Sequence, residues 1–363
     1  MSSSDKLRKG GLVAAVLSGA WRQGDLPELN ISELDLDEAT PLLNGSGGAS
    51  LAWKRIANTH LQNSASAEVL HQAYRLHSLQ SAMHEEKIAK VFRLLRQARV
   101  NPILAKGWVA ARMYGDSGLR PYGDIDLCVR REQFKAAEEV LNSPEASDCS
   151  VDLHRHFVEL SDRTFDEILE RSGVAALGGE EIRTLGPEDH LGLLCIHFLR
   201  HGGWRPIWLC DIGATVESLP EGFDWNVCLG RNNTRASWIE SAIGLAGRLL
   251  GAKTSHLPVK PAARLPAWLI ENVLTQWANP FAIDQPPMRH PVPMAVLLHH
   301  PAGLVDGLRQ RWPNAILATI SVNGKFNNMP RLPYQLANCL ARVRRLFLVD
   351  EETASDEVST TSR

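Results

Sequence analysis

Between Asp124 and Val129 the chain reads Asp-Ile-Asp-Leu-Cys-Val, an alternation with the period of a β-strand rather than a helix. A strand of this pattern sends Asp124 and Asp126 out of the same face, about 7 Å apart along the backbone. Ile125, Leu127 and Val129 leave by the other face and need an apolar cover. The chain must therefore build a short strand with one face in a core and an acidic face turned to a cleft.

The neighbouring segments supply partners for such a strand. From about residue 52 to 99 the pattern is helical, with Ile88, Val91, Phe92 and Leu95 forming a stripe through a charged background. Asn101-Pro102 breaks that helix, and Ile103-Leu104-Ala105 suits a short buried strand that ends at Lys106-Gly107. A helix over Trp108 to Tyr114 follows and stops at Gly115-Asp116-Ser117-Gly118. Residues 132–142 read as a helix. Residues 150–157 alternate again, with Asp152, His154 and His156 on one face. The order is strand, helix, strand, helix, strand.

Outside this region the character changes. Residues 24–50, acidic and then Gly/Ser-rich at Asn44-Gly45-Ser46-Gly47-Gly48, read as a loop or linker. From 187 to about 345 helical periodicity returns, with many Trp residues and Pro-rich breaks at 258–266 and 280–293. Residues beyond Val349 are polar and acidic, a disordered tail by composition. The expected division is an N-terminal helix and linker (1–50), a core with its preceding helices (51–180), a mainly helical domain (181–348) and the tail (349–363). The expected fold class is α+β.

Charge and cysteines narrow the surroundings. With 39 basic against 41 acidic residues, no global positive field draws the chain onto nucleic acid or an anionic membrane, although a local basic cleft remains compatible. The six scattered cysteines contain no Cys-x-x-Cys pair, which fits reduced thiols in a cytoplasm better than a disulfide framework. Lys6, Arg8 and Lys9 before the apolar run 10–17 resemble the start of a signal peptide. That run is short, and Arg22 and an acidic stretch follow as after a surface helix. No apolar run approaches the ~18 residues needed to span a bilayer, so the expected location is cytoplasmic, without membrane contact.

The chemistry concentrates in the acidic residues. Hard divalent cations such as Mg²⁺ prefer carboxylate oxygens, and two of them can stabilise the attacking and leaving oxygens of a displacement at phosphorus. Asp124 and Asp126 have the spacing for such a site, and Asp152 completes it if its strand pairs alongside, as metal ligand or base. A bare Asp-x-Asp also arises by chance or caps turns. Lys106-Gly107 sits where a strand feeds a helix N-terminus, which favours phosphate, or is simply a helix-start turn. Arg120 can neutralise a triphosphate or pair with a surface acid. His154 hydrogen-bonds Asp152, lines the site or serves structure. His197 and His201, four apart on a helix, face one way and suit packing or substrate contact better than zinc. Asp211 orients a histidine or a base, or caps a helix. Trp204 and Trp208 stack on a base or fill the core.

Leu104-Ala105-Lys106-Gly107-Trp108-Val109-Ala110, Leu119-Arg120-Pro121-Tyr122-Gly123-Asp124-Ile125-Asp126-Leu127 and Val151-Asp152-Leu153-His154 together resemble a bacterial family of largely uncharacterised nucleotidyltransferases. That family is a branch of the DNA polymerase β-like superfamily, similar in its Lys-Gly element to nucleotidyltransferases of abortive-infection and toxin–antitoxin systems. The resemblance runs over about residues 55–215 and is diffuse beyond. It implies a polymerase β-like core, a small mixed sheet with flanking helices, followed by a mainly helical C-terminal domain. It further implies NMP transfer from an NTP, such as ATP, with Mg²⁺ or Mn²⁺. By the same resemblance Asp124 and Asp126 are the metal-binding acidic pair, Asp152 the third acid, Lys106-Gly107 the phosphate-binding turn and Arg120 the basic residue before the pair. Lys-Gly stands where the superfamily commonly has Gly-Ser. Two other readings compete: a non-catalytic nucleotide-binding or assembly protein of a biosynthetic cluster, and a metal-dependent hydrolase built on His154, His156, His197 and His201. The acceptor (tRNA, protein, peptide, sugar or small molecule), the preferred NTP and the oligomeric state stay open.

Overall fold

The computed structural model describes residues 2–255, 257–258, 265–279 and 312–342. Its elements are α1 (Ser3–Leu17), α2 (Glu33–Ser46), α3 (Ala49–Ile56), α4 (Ala65–Gln97), β1 (Ile103–Ala105), α5 (Gly107–Ala111), β2 (Ile125–Cys128), α6 (Phe134–Leu141), β3 (Val151–His154), α7 (Phe165–Arg171), β4 (Gly173–Leu177) and β5 (Glu180–Thr184). There follow α8 (Pro187–Arg200), α9 (Pro206–Glu217), α10 (Trp225–Leu229), α11 (Asn233–Leu250), α12 (Ala267–Trp277) and α13 (Ala315–Ser321). The architecture is α+β, a small mixed sheet among helices. Among the described residues no helix is long and apolar enough to cross a membrane. The expected tail and the Pro-rich break at 280–293 lie outside the described residues.

The sheet runs β3-β2-β1-β5-β4. β2 is antiparallel to β1 and parallel to β3, while β5 lies parallel to β1. Alternation then sorts every strand residue to one of two faces. Leu104, Ile125, Leu127, Val151, Leu153 and Ile182 meet the Ile88–Leu95 stripe of α4 in one core cluster, so the stripe read in the sequence covers the sheet. Ile103, Ala105 and Cys128 lie on the opposite face and pack with Phe157, Leu160, Ile168 and Leu193. This second face also carries Asp126, Asp152 and His154, and α8 covers only part of it.

Two features differ from the sequence reading. The supposed linker at 24–50 contains α2, begun by a capping box between Ser32 and Asp35. Its Gly/Ser run is a helix terminator, because Gly47 adopts φ 82° and Gly48 N–H donates to Leu43 O at 2.8 Å before α3 starts. Glu33 and Asp35 stand in its first turn, where the helix dipole favours them. The second difference is the β4–β5 hairpin, not anticipated at all. Gly178-Gly179, at φ 57° and 80°, makes the two-residue turn that matches the twist of paired strands.

The largest apolar cluster joins α1, α2, α3 and the start of α4 to α8, α9, α11 and α12. The apolar run at 10–17 that looked like a signal peptide is part of it, with Val13, Val16 and Leu17 buried. Gly10 sits so close to α12 that a Cβ there would lie 2.1 Å from the carbonyl oxygen of Leu274.

His190 on α8 is fully buried with Nε2 unpartnered, and burial pushes its imidazole down to about 4. The unfolded chain, with an ordinary histidine, therefore binds a proton first as pH falls. Stability declines from about pH 6.5 and goes on falling until pH passes the folded value, by roughly 3 kcal/mol in all. His190→Leu is expected to flatten this limb, as read in urea melts between pH 7 and 4.

Candidate active site

β1, β2 and β3 place the acidic residues by register. Ala105 pairs with Asp126, and Asp126 with Asp152. Because β2 and β3 run parallel, the two carboxylates stand side by side, and His154, two residues on, shares their face. Ligand atoms of Asp126, Asp152 and His154 all lie within 4.8 Å of one another. His154 Nε2 is 3.1 Å from Asp152 Oδ2 and 3.5 Å from Asp126 Oδ1, yet this buried nitrogen has no hydrogen-bond partner. Asp126 is 3% exposed, whereas the Asp152 side chain is 57% exposed. The set thus has a protected and an open carboxylate. Asp124 is exposed just ahead of β2 and makes no ion pair with a described residue.

Lys106 leaves the end of β1 and reaches across to Asp126, with Nζ 2.7 Å from Oδ1. Burial pushes the Asp126 carboxyl up, but the His154 imidazole and the Lys106 charge outweigh it and hold the group below its usual range. Burial likewise pulls Lys106 down, and Asp126 more than restores it. To make this reach Lys106 adopts φ 53° and ψ −135°, a region disfavoured for residues with a Cβ. The bare side of Gly107 faces the segment before β2, where a Cβ would meet Asp124 O at 3.4 Å and Tyr122 Cβ at 3.5 Å. Both Lys106→Ala and Lys106→Gly lose the ammonium, but only glycine relaxes the backbone. In urea melts the Gly variant is expected to be about 1 kcal/mol more stable than the Ala variant; equal stability would remove strain from the account.

Arg120 does not turn to the cleft. Its Nη2 lies 2.6 Å from Asp211 Oδ2, Nε bonds both oxygens of that carboxylate, and Tyr114 Oη donates to Oδ1 at 2.7 Å. Asp211 is wholly buried and Arg120 only 5% exposed. A buried carboxylate has to be met by donors, so α9 takes the guanidinium expected at a triphosphate. Asp211, expected beside a histidine or a base, instead ties Arg120 and Tyr114 together.

His197 and His201 face one way, as their spacing predicts, and their rings lie tilted against each other with centroids 4.4 Å apart. Both pack against Trp208, at 4.6 and 5.1 Å, and Trp204 packs edge-on to Trp208. His197 Nδ1 is 3.2 Å from Glu159 Oε1. Burial raises the Glu159 carboxyl, but the His197 bond and the Lys106 charge bring it down to about 2. Burial keeps His197 below its ordinary value despite Glu159 and Asp126 nearby. Glu159 and Arg205 were absent from the sequence-derived site, and neither lies in a patterned motif that singles it out. Among the described residues the four histidines of a hydrolase site do not gather: His154 stands with the carboxylates, and His197 and His201 with Trp208.

A sequence model for a family described as uncharacterised nucleotidyltransferase matches residues 32–146 and 142–238. No curated protein and no solved structure matches the chain.

Proposed function

The chain belongs to that nucleotidyltransferase family, and from this premise we propose that it transfers a nucleoside monophosphate from ATP or another NTP to an acceptor hydroxyl, releasing pyrophosphate. The observation that carries the reading is the meeting of Asp126, Asp152 and His154 on adjacent parallel strands beside Lys106. Two carboxylates suit Mg²⁺ or Mn²⁺, and the buried His154 nitrogen, 3.1 Å and 3.5 Å from their oxygens without a formed hydrogen bond, is the kind of atom a cation satisfies. Asp126, Asp152 and His154 would hold the ion, with Asp124 at the mouth available to a second. Such ions, when bound, stabilise charge on the phosphoryl oxygens.

The chain's own residues divide the remaining work. Lys106 keeps Asp126 ionised although buried. The open oxygen of Asp152 takes the hydroxyl proton while the acceptor oxygen bonds to the α-phosphorus. The bond from that phosphorus to the bridging oxygen breaks, and its electron pair leaves with pyrophosphate. His197, His201 and Trp208 on α8 and α9 form the wall against which the acceptor lies. Its class, among tRNA, protein, peptide, sugar or small molecule, is what the first experiment sorts by size.

The purified chain is incubated with each α-³²P-labelled NTP and Mg²⁺ or Mn²⁺, with and without cell extract, beside Asp124→Ala/Asp126→Ala. Label is expected to pass to an acceptor with the wild type and not with the double variant. An NTP that binds but is never transferred under any of these conditions would sink the proposal.

A further inference from the structure

The cations around the cleft are unequally engaged. Lys106 is held by Asp126 and Arg120 by Asp211. Arg205, the residue from which α9 starts, makes no side-chain hydrogen bond or ion pair with any described residue. Its guanidinium lies over two indole rings, 4.9 Å from the Trp204 centroid and 5.4 Å from that of Trp208. Its Nε is buried without a partner, and so is Nε1 of the adjacent Trp204. A buried donor left unsatisfied forfeits the hydrogen bonds it made to water. Two such donors on consecutive residues mark a place where an acceptor from outside the described chain fits.

The surroundings say what kind of acceptor. Burial and the Arg120 charge pull the Arg205 guanidinium below its usual value, and Asp124 and Asp211 oppose them. The start of the 12-residue α9 adds the positive end of a helix dipole. Trp208, which carries one face of the guanidinium, also packs against His197, and this joins Arg205 to the wall of the site. A planar fork lying against two indole rings, next to an indole N–H, favours an oxyanion with several acceptor oxygens over a single carbonyl.

We propose that Arg205, with the Trp204 indole N–H beside it, grips the polyphosphate of the NTP from the helical side of the cleft, and that Arg120 does not touch the nucleotide. The inference rests on the nucleotidyl-transfer reading and adds to it the group that receives the charge of the departing pyrophosphate.

The test is calorimetric titration of the full chain with inorganic tripolyphosphate, each common NTP and AMP, all with Mg²⁺, for wild type, Arg205→Gln and Arg205→Lys. Arg205→Gln is expected to weaken tripolyphosphate and NTP about ten- to hundredfold, the loss of charge-assisted hydrogen bonds, and to leave AMP unchanged. Arg205→Lys keeps the charge and loses the fork, and is expected to fall between the two. Should the Gln variant not fold, the Lys variant decides: NTP binding equal to wild type overturns the inference. A wild type that binds NTP with Arg205→Gln unchanged, thermal melts being alike, overturns the inference alone. A wild type that binds no NTP overturns the transferase reading and this inference with it.

Discussion

Asp126→Asn is expected to lower nucleotidyl transfer by at least about a thousandfold, equivalent to roughly 4 kcal/mol of transition-state stabilisation. The argument is positional. Asp126 is the member of the acidic set that is nearly inaccessible, and it faces Lys106 and His154 at once while in register with Asp152. An amide keeps the shape but supplies neither the charge that a divalent cation needs nor the counter-charge that Lys106 needs. Folding should suffer much less, by about 1–3 kcal/mol, since the amide oxygen still accepts from the ammonium. The measurement is single-turnover transfer of labelled NMP with urea melts of the same preparations. Transfer above a tenth of wild type would take Asp126 out of the site, whatever the stability.

The largest effect on folding is expected at Arg120 and Asp211. Breaking a buried ion pair by removing one partner leaves an uncompensated charge and typically costs about 3–5 kcal/mol. Both groups are nearly inaccessible, and Asp211 also holds the Tyr114 hydroxyl. Arg120→Met and Asp211→Leu alone should each lower stability by about that amount in urea denaturation. The double variant should recover to within about 1–2 kcal/mol of wild type, the residue being the Tyr114 hydroxyl left without its acceptor. Additive losses would show that the two side chains act independently. The double variant should also bind NTP as the wild type does, because neither side chain faces the cleft.

The part of this architecture that can be read from the sequence is the part encoded in local period. Asp124 to Val129 and the Ile88–Leu95 stripe announce a strand and the helix that covers it, because alternation and three-to-four spacing survive whatever else the chain does. The parallel pairing of β2 with β3 was legible only as a condition, since register is set by partners 26 residues apart, as with Asp126 and Asp152. Arg120 and Asp211 each stand out in the sequence, but their pairing does not. Nothing in a sequence says that two charged residues separated by 91 positions meet in a dry interior. The α2 error has a local cause: Gly45, Gly47 and Gly48 look like a flexible segment when counted and are a single helix stop when placed. Arg205 does not stand out in the sequence because its signature is a missing partner, which exists only in three dimensions.

The 33-residue α4 has a mechanical consequence. Its first turns are fixed in the helical cluster through Ala67 and Leu70, and its last turns hold the sheet through Ile88, Val91, Phe92 and Leu95. Between these ends the Tyr74 hydroxyl donates to Asp116 at 2.7 Å and His77 Nδ1 lies 2.7 Å from Ser50 Oγ, so a rod about 50 Å long is fastened along its length. Bending it would break successive backbone hydrogen bonds, so the helix opposes a hinge between the strands that carry the carboxylates and the helical cluster. The spacing between the sheet and the helical cluster is then set by the fold itself rather than by what comes to lie between them.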